Sequence, residues 1–358
     1  MKETIPYGCC GMATQWVQML PTILIHCAAA ILSNHLPVHL LRMLYQYITM
    51  LKYIITATVC LVTVIGTFGQ TMKPVKYKDT VFNDVRVDKN LLYRTNATAD
   101  VQKRFSHFDL YQPADDTATA ARPLIIWMHG GGFKFGSKDA TGIQLWCNSF
   151  AQRGYVCAAI NYRLTKKNTF TSFKSLAGGC YDAVQDAEQA VAYFKRNYTK
   201  YRIDTGRIIL AGNSAGGMIA LQAVYSSRSE LAALAGDSGT AYLPKVYNPQ
   251  KIAAVVNFWG SIFDINWLQN ADVPIVSVHG RLDQTVPIEH VRSPFYGSLS
   301  IHEKADSLHI PNQLKVYDWF SHELQRHFNP FWTGSATKKR WMEAGQYAAD
   351  FLYGALKL

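Results

Sequence analysis

One pattern recurs from Arg104 onward: a short, nearly all-apolar run, then apolar residues at helical spacing, then another run. The runs are "PLIIWM" (Pro123–Met128), "YVCAAI" (Tyr155–Ile160), "RIILAG" (Arg207–Gly212), "IAAVVNFWG" (Ile252–Gly260), "PIVSVHG" (Pro274–Gly280) and "QLKVYDWF" (Gln313–Phe320). A strand that is apolar at almost every position is buried on both faces, and a parallel sheet covered by helices on each side provides that burial. "RFSHFDLYQP" (Arg104–Pro113) alternates instead, as a strand does. Between the runs, Ala183, Val184, Ala187, Ala190, Val191 and Phe194 keep a helical period, as do the residues after Ser214 and the closing "KKRWMEAGQYAADFLYGAL". Strand, helix and strand in succession predict an α/β fold with a mostly parallel, doubly wound sheet flanked by helices. With 49% hydrophobic and 17% charged residues, the composition is that of an ordered globular chain.

Ligands of such sheets collect beyond the C-terminal ends of the strands, so the residues that follow each run are the candidates for chemistry. After one run comes Gly212-Asn213-Ser214-Ala215-Gly216, a G-x-S-x-G. Its serine sits on a sharp strand-to-helix turn, where only small neighbours two residues away avoid collision and the hydroxyl is exposed at a helix N-terminus. After another comes "HGGGFKFG" (His129–Gly136), whose glycines let backbone N–H groups approach a substrate oxygen; Gly131, Gly132 and Ala215 are the candidate oxyanion donors. His129 is expected to shape that loop rather than to move protons.

The candidate acid is Asp283 in "RLDQTVP", with Asp264 in "GSIFDIN" as its rival. The candidate base is His322 in "SHELQRHFNP", just past the last run. His322, Glu323 and His327 resemble a zinc-binding H-E-x-x-H. Residues five apart, however, point about 140° away from one another on a helix, so no metal ligation is expected.

Taken together, "IIWMHGGGF", "INYRL", "YDAVQDAEQAVAYFKRNY", "GNSAGG" and "HGRLDQTVP" resemble the esterase and lipase branch of the α/β-hydrolase superfamily, near the hormone-sensitive-lipase-like and type-B carboxylesterase groups. The resemblance covers Leu91 to the C-terminus. It implies an α/β-hydrolase fold with an eight-stranded type of sheet and a Ser214, Asp283, His322 triad. It further implies hydrolysis of carboxylic esters through an acyl-enzyme, with no metal and no organic cofactor. Type-B enzymes are longer and commonly carry Glu-Ser at the elbow, where this chain has Asn213. Prolyl-oligopeptidase-type peptidases share the triad but usually carry a large domain ahead of it, and the roughly 90 residues before the catalytic pattern here are not expected to form a propeller. A non-catalytic binding module on this fold would be expected to lack a triad member.

Substrate expectations follow from the segments that could cover the site. "TKKNTFTSFKSLAGG" (Thr165–Gly179), with its three lysines, and Ser226–Gln250 are short and mixed, so only small lid insertions are expected. Phe133, Phe135, Phe170, Phe173 and Trp259 are candidates to line a compact pocket, core packing being the other fate open to them. The expected substrates are small-molecule or carbohydrate esters with short acyl groups, long-chain lipase activity being the alternative.

Ahead of this domain, placed at residues 70–358, "MLKYIITATVCLVTVIGTFGQT" has the lysine, the apolar stretch and the small residues of a secretory signal, with cleavage after Gly69. Residues 50–69 are thus read as a signal peptide, a membrane anchor being the rival, and residues 1–49 as an extension that is not translated if synthesis starts at Met50. A secreted or cell-envelope enzyme, with no stable membrane association after cleavage, is the expectation. Net charge is +11, but no basic run or recognition-helix pattern accompanies it, so no nucleic-acid partner is expected. Of the cysteines beyond Gln70, Cys147 and Cys180 are the more plausible disulfide pair, since Cys157 sits in an apolar strand; three buried free thiols are the other possibility.

Overall fold

The computed structural model of the chain describes residues 37–67, 73–94, 98, 104–237, 245–290 and 293–358. Eight strands form one sheet: β1 (Val85–Leu92), β2 (His107–Pro113), β3 (Arg122–Met128), β4 (Val156–Ile160), β5 (Ile203–Asn213), β6 (Ala254–Phe258), β7 (Ile275–Gly280) and β8 (Asn312–Tyr317). Their order is β1-β2-β4-β3-β5-β6-β7-β8. The β1-β2 and β2-β4 pairs are antiparallel, and every other pair is parallel. This is the mostly parallel sheet that the apolar runs implied, with the eight strands of the α/β-hydrolase fold that the resemblance implied. β1 escaped the sequence reading because it is an edge strand, "VRVDKNLL", with no continuous apolar face. The run expected to reach Phe320 ends as a strand at Tyr317.

Alternation within each strand divides the core into two layers. Leu124, Ile126 and Met128 of β3 face one layer with Ile208 and Leu210 of β5. Helices α3 (Phe173–Arg196), α4 (Ala215–Tyr225), α5 (Arg228–Ala235) and α6 (Ser298–Ser307) cover it. Ile125 and Trp127 face the other layer, under α2 (Thr141–Gln152) and α7 (Ser335–Ala355). There Trp127 stacks on Trp146 at 5.2 Å. Each such fully buried large side chain contributes about 1.5–3 kcal/mol. The sheet separates Cys180, in the first layer, from Cys147 and Cys157 in the second. Of the two possibilities left open for these cysteines, the structure has the second: all three are buried free thiols, and burial pushes each thiol up.

The chain divides into two compact units, Met1–Lys73 and Pro74–Leu358. In the first, α1 (Val38–Thr67) starts directly after Pro37, a residue suited to a helix start, and runs unbroken through Met50. Among the described residues, no helix is long and apolar enough to cross a membrane. The expected cleavage point at Gly69, the new terminus Gln70 and Cys9, Cys10 and Cys27 lie outside the described residues.

Candidate active site

The C-terminal ends of β3, β5, β7 and β8 gather the residues singled out above. Ser214 stands between β5 and α4 at φ 53°, ψ −118°, a conformation disfavoured for a side-chain-bearing residue. Its N–H donates to the Phe258 carbonyl at 2.8 Å, which ties the turn to β6. The glycine requirement is steric. A Cβ on Gly216 would lie 1.9 Å from the Met128 carbonyl oxygen, and one on Gly212 would lie 2.4 Å from the Gly216 carbonyl carbon. Ala215 opens α4, where the first backbone amides have no intrahelical acceptor.

Gly130 to Gly136 fold over this turn. Gly131 takes φ 114° and Gly132 φ 61°, and the Phe135 N–H closes the loop on the Gly131 carbonyl at 3.0 Å. A Cβ on Gly131 would come within 2.2 Å of the Phe135 carbonyl oxygen, and one on Gly130 within 3.3 Å of the Ser214 Cβ. Asn213, noticed in the sequence only as a departure at the elbow, accepts the Gly130 N–H at 3.1 Å and so binds loop and elbow together. His129 is buried, and burial pushes its imidazole down to about 4. Its neutral Nδ1–H donates to the Gly130 carbonyl at 2.7 Å, and its ring stacks on Tyr162. This is the loop-shaping position expected of it.

Opposite the elbow, His322 Nε2 lies 3.0 Å from Ser214 Oγ, and His322 Nδ1 lies 2.7 Å from Asp283 Oδ2. Asp283 Oδ1 accepts the Thr285 and Val286 N–H groups, both at 2.9 Å. Burial pushes the Asp283 carboxyl up, but the hydrogen bonds from His279 and His322 outweigh it and hold the group well below the usual carboxylate range. With Nδ1–H given to the carboxylate, Nε2 is the ring nitrogen free to accept the serine proton. The rival acid Asp264 instead caps a short 3-10 turn, accepting the Asn266 N–H at 2.9 Å. His327 is exposed while His322 is buried, so the pair does not converge. Among the described residues, no group of three or more His, Cys, Asp or Glu could hold a metal ion.

His322 is carried on a strained turn, Glu323 having φ 56° and Leu324 φ 55°. Adjacent residues of α7 hold it: Trp341 Nε1–H donates to the Glu323 carbonyl at 2.7 Å and Arg340 Nε–H to the Leu324 carbonyl at 2.8 Å. Sequence reasoning missed these clamps and also Asn257, Ser277 and His279, fully buried polar residues inside otherwise apolar strands. The available signal was the polar interruption itself in "AVVNF" and "IVSVHG".

The candidate pocket aromatics separate into two groups. Phe135 and Phe170 are exposed, with rings 6.4 Å apart, and Phe170 lies against Gly132. Phe133 and Trp259 are fully buried in the core, and Phe173 packs edge-on against Phe263. Phe328 approaches His322 edge-on at 4.9 Å. The Thr165–Gly179 segment is fastened to the glycine loop by Thr169 Oγ1–H, which donates to the Gly132 carbonyl at 2.6 Å.

The BD-FAE family model matches residues 108–269. The probable carboxylic ester hydrolase LipM of Mycobacterium tuberculosis is 26% identical over 59% of this chain and 47% of its own length. Arylacetamide deacetylase of Bos taurus is 31% identical over 37% of this chain and 30% of its own. The chain thus spans less than half the length of the curated relatives it matches. Among solved structures, Thermogutta terrifontis esterase 2 phosphorylated by paraoxon superposes with a TM-score of 0.52 at 20% identity, covering 75% of this chain and 94% of that one.

Proposed function

We propose, for a chain that belongs to the esterase and lipase branch of the α/β-hydrolase superfamily, that it hydrolyses carboxylic esters with Ser214 as nucleophile. The observation that carries this reading is the continuous set of contacts from Ser214 Oγ through His322 to Asp283 at 3.0 and 2.7 Å. Ser214 Oγ attacks the acyl carbon as its proton passes to His322 Nε2, and the oxyanion is held by the N–H groups of Gly131, Gly132 and Ala215. Collapse expels the alcohol, which takes the proton back from the imidazolium, and leaves an acyl-serine. Water then attacks the acyl carbon as its proton passes to His322, and collapse returns that proton to Ser214 Oγ and releases the carboxylic acid. Asp283 stays ionised throughout and stabilises the imidazolium.

The same reading extends to the substrate. A short cover fastened to the glycine loop, with Phe135 and Phe170 exposed beside that loop, favours short acyl groups on small-molecule or carbohydrate alcohols. Kinetics across p-nitrophenyl esters of increasing chain length, with acetylated xylan and methyl ferulate alongside, test it. A compact pocket gives a steep fall in kcat/KM beyond a few carbons, because each methylene that fits or fails to fit is worth roughly 1–3 kcal/mol. A rise toward long chains, with activation at an emulsion surface, would make the enzyme a lipase.

A further inference from the structure

Behind the triad lies a second set of polar groups that the reaction as described does not use. Asn257 on β6, Ser277 and His279 on β7 and Ser298 at the head of α6 are all fully buried. Polar groups at such depth are tolerated when they are hydrogen-bonded, and these are bonded to one another. The Gly260 N–H donates to Asn257 Oδ1 at 3.0 Å. Asn257 Nδ2 donates to Ser277 Oγ at 3.1 Å and to Ser298 Oγ at 3.2 Å. Ser298 Oγ lies 2.7 Å from His279 Nδ1, and His279 Nε2 lies 2.9 Å from the Val286 carbonyl oxygen and 3.3 Å from Asp283 Oδ2.

For the neutral imidazole of His279, the donors and acceptors present give a direction to each bond. A carbonyl oxygen can only accept, so Nε2 of His279 carries the hydrogen and shares it between Val286 and Asp283. Nδ1 is then bare and accepts the Ser298 hydroxyl, whose oxygen in turn receives the Asn257 amide. Every donor in the series points toward Asp283. The far end lies close to the elbow: a Cβ on Gly260 would fall 2.4 Å from Asn257 Oδ1 and 2.9 Å from the Ser214 carbonyl oxygen. The buried series thus runs beneath the site from Asp283 to a glycine packed beside the elbow.

We infer that His279, held in one tautomer by Ser298 and Asn257, is a positioning residue that fixes the Asp283 carboxylate against His322. The inference rests on the triad reading given above. Without the Nε2–H donor, Asp283 Oδ2 keeps only its bond to His322, while Oδ1 keeps the Thr285 and Val286 amides, so the carboxylate is held by one partner fewer on the side that faces the imidazole. The test compares His279→Ala, His279→Gln and Ser298→Ala in the full chain. The glutamine can return an N–H donor and an acceptor to similar places. His279→Ala is expected to lower kcat on a short-acyl p-nitrophenyl ester on the order of ten- to a hundredfold, the scale of a small misplacement, with KM nearly unchanged. His279→Gln recovers most of that loss, and Ser298→Ala shows a smaller fall of the same kind. The independent readout is the downfield proton resonance of the His322 Nδ1–H bonded to Asp283, lost in His279→Ala and present in His279→Gln.

Should His279→Ala fail to fold, Ser298→Ala, which removes a single oxygen, carries the test through the same two readouts. An unchanged resonance and unchanged kcat in the folded variants would overturn the inference, as would equal defects in the alanine and glutamine forms. Absence of ester turnover in the unaltered protein would count against the proposed function, while the resonance comparison would still decide the role of His279.

Discussion

The two halves of the site are built by opposite means. On the β3–β5 side, the elbow and the Gly130–Gly136 loop are set mainly by backbone conformation, tied by Asn213, His129 and Thr169, and what matters most is the side chains that are missing at Gly131, Gly212 and Gly216. On the β6–β8 side, Asp283 and His322 are held by side chains and amides reaching in from β6, β7, α6 and α7. One half tolerates no added atom, whereas the other depends on each donor keeping its acceptor. Sterically defined parts fail abruptly when filled, and hydrogen-bonded parts lose function by degrees.

The largest effect is expected where the hydrogen-bonded half meets the substrate. His322→Ala should lower ester turnover by several orders of magnitude, while His327→Ala, an exposed position, changes it little. Steady-state kinetics of the two purified variants check this, and comparable losses in both would undo the assignment of the base. A chelator should leave both the parent and the His327 variant unaffected.

Filling the sterically defined half comes next. Gly131→Ala sets a Cβ against the Phe135 carbonyl oxygen at a φ of 114°, so it should reduce kcat on the order of a hundredfold by displacing the oxyanion donors. The backbone strain is of order 1–3 kcal/mol and should appear as a lower Tm. Activity and Tm both at parental values would show that the loop is not fixed in this way.

Smallest is the effect of acid on stability. Asp283 has its folded-state carboxyl held well below its unfolded value of roughly 3.9, so its stabilising contribution is complete above that value and is lost as pH falls through the folded one. Asp283→Asn should therefore flatten the dependence of Tm on pH below about pH 4. Parallel Tm curves for the two proteins throughout that range would contradict the cause given for the shift.

The contrast also explains what could be read in the chain beforehand. Glycine signals are local: Gly131, Gly132, Gly212 and Gly216 announce their turns within a few residues, and each follows an apolar run whose end marks the active edge of the sheet. The six apolar runs and the alternating Arg104–Pro113 located seven strands to within a few residues, whereas the half-exposed β1 carried no such pattern. The supporting side chains are not local. His279 meets Ser298 across 19 residues, Asn257 meets Ser298 across 41, and Asn213 meets Gly130 across 83. Nothing in the neighbourhood of Asn257 says whether it is a flaw in a strand or a partner for a distant serine. The choice between a disulfide and free thiols stayed open for the same reason, because the sequence does not say on which side of the sheet Cys147 and Cys180 fall.

Covalent labelling bears most directly on the claim that Ser214 and His322 act as one unit. The protein is treated with a p-nitrophenyl phosphonate, residual ester hydrolysis is followed, and the modified peptide is identified by mass spectrometry, with Ser214→Ala carried in parallel. The account predicts a single adduct on Ser214, hydrolysis lost in proportion to labelling, and neither adduct nor appreciable turnover in Ser214→Ala. Complete labelling with hydrolysis intact, or hydrolysis retained by Ser214→Ala, would contradict it.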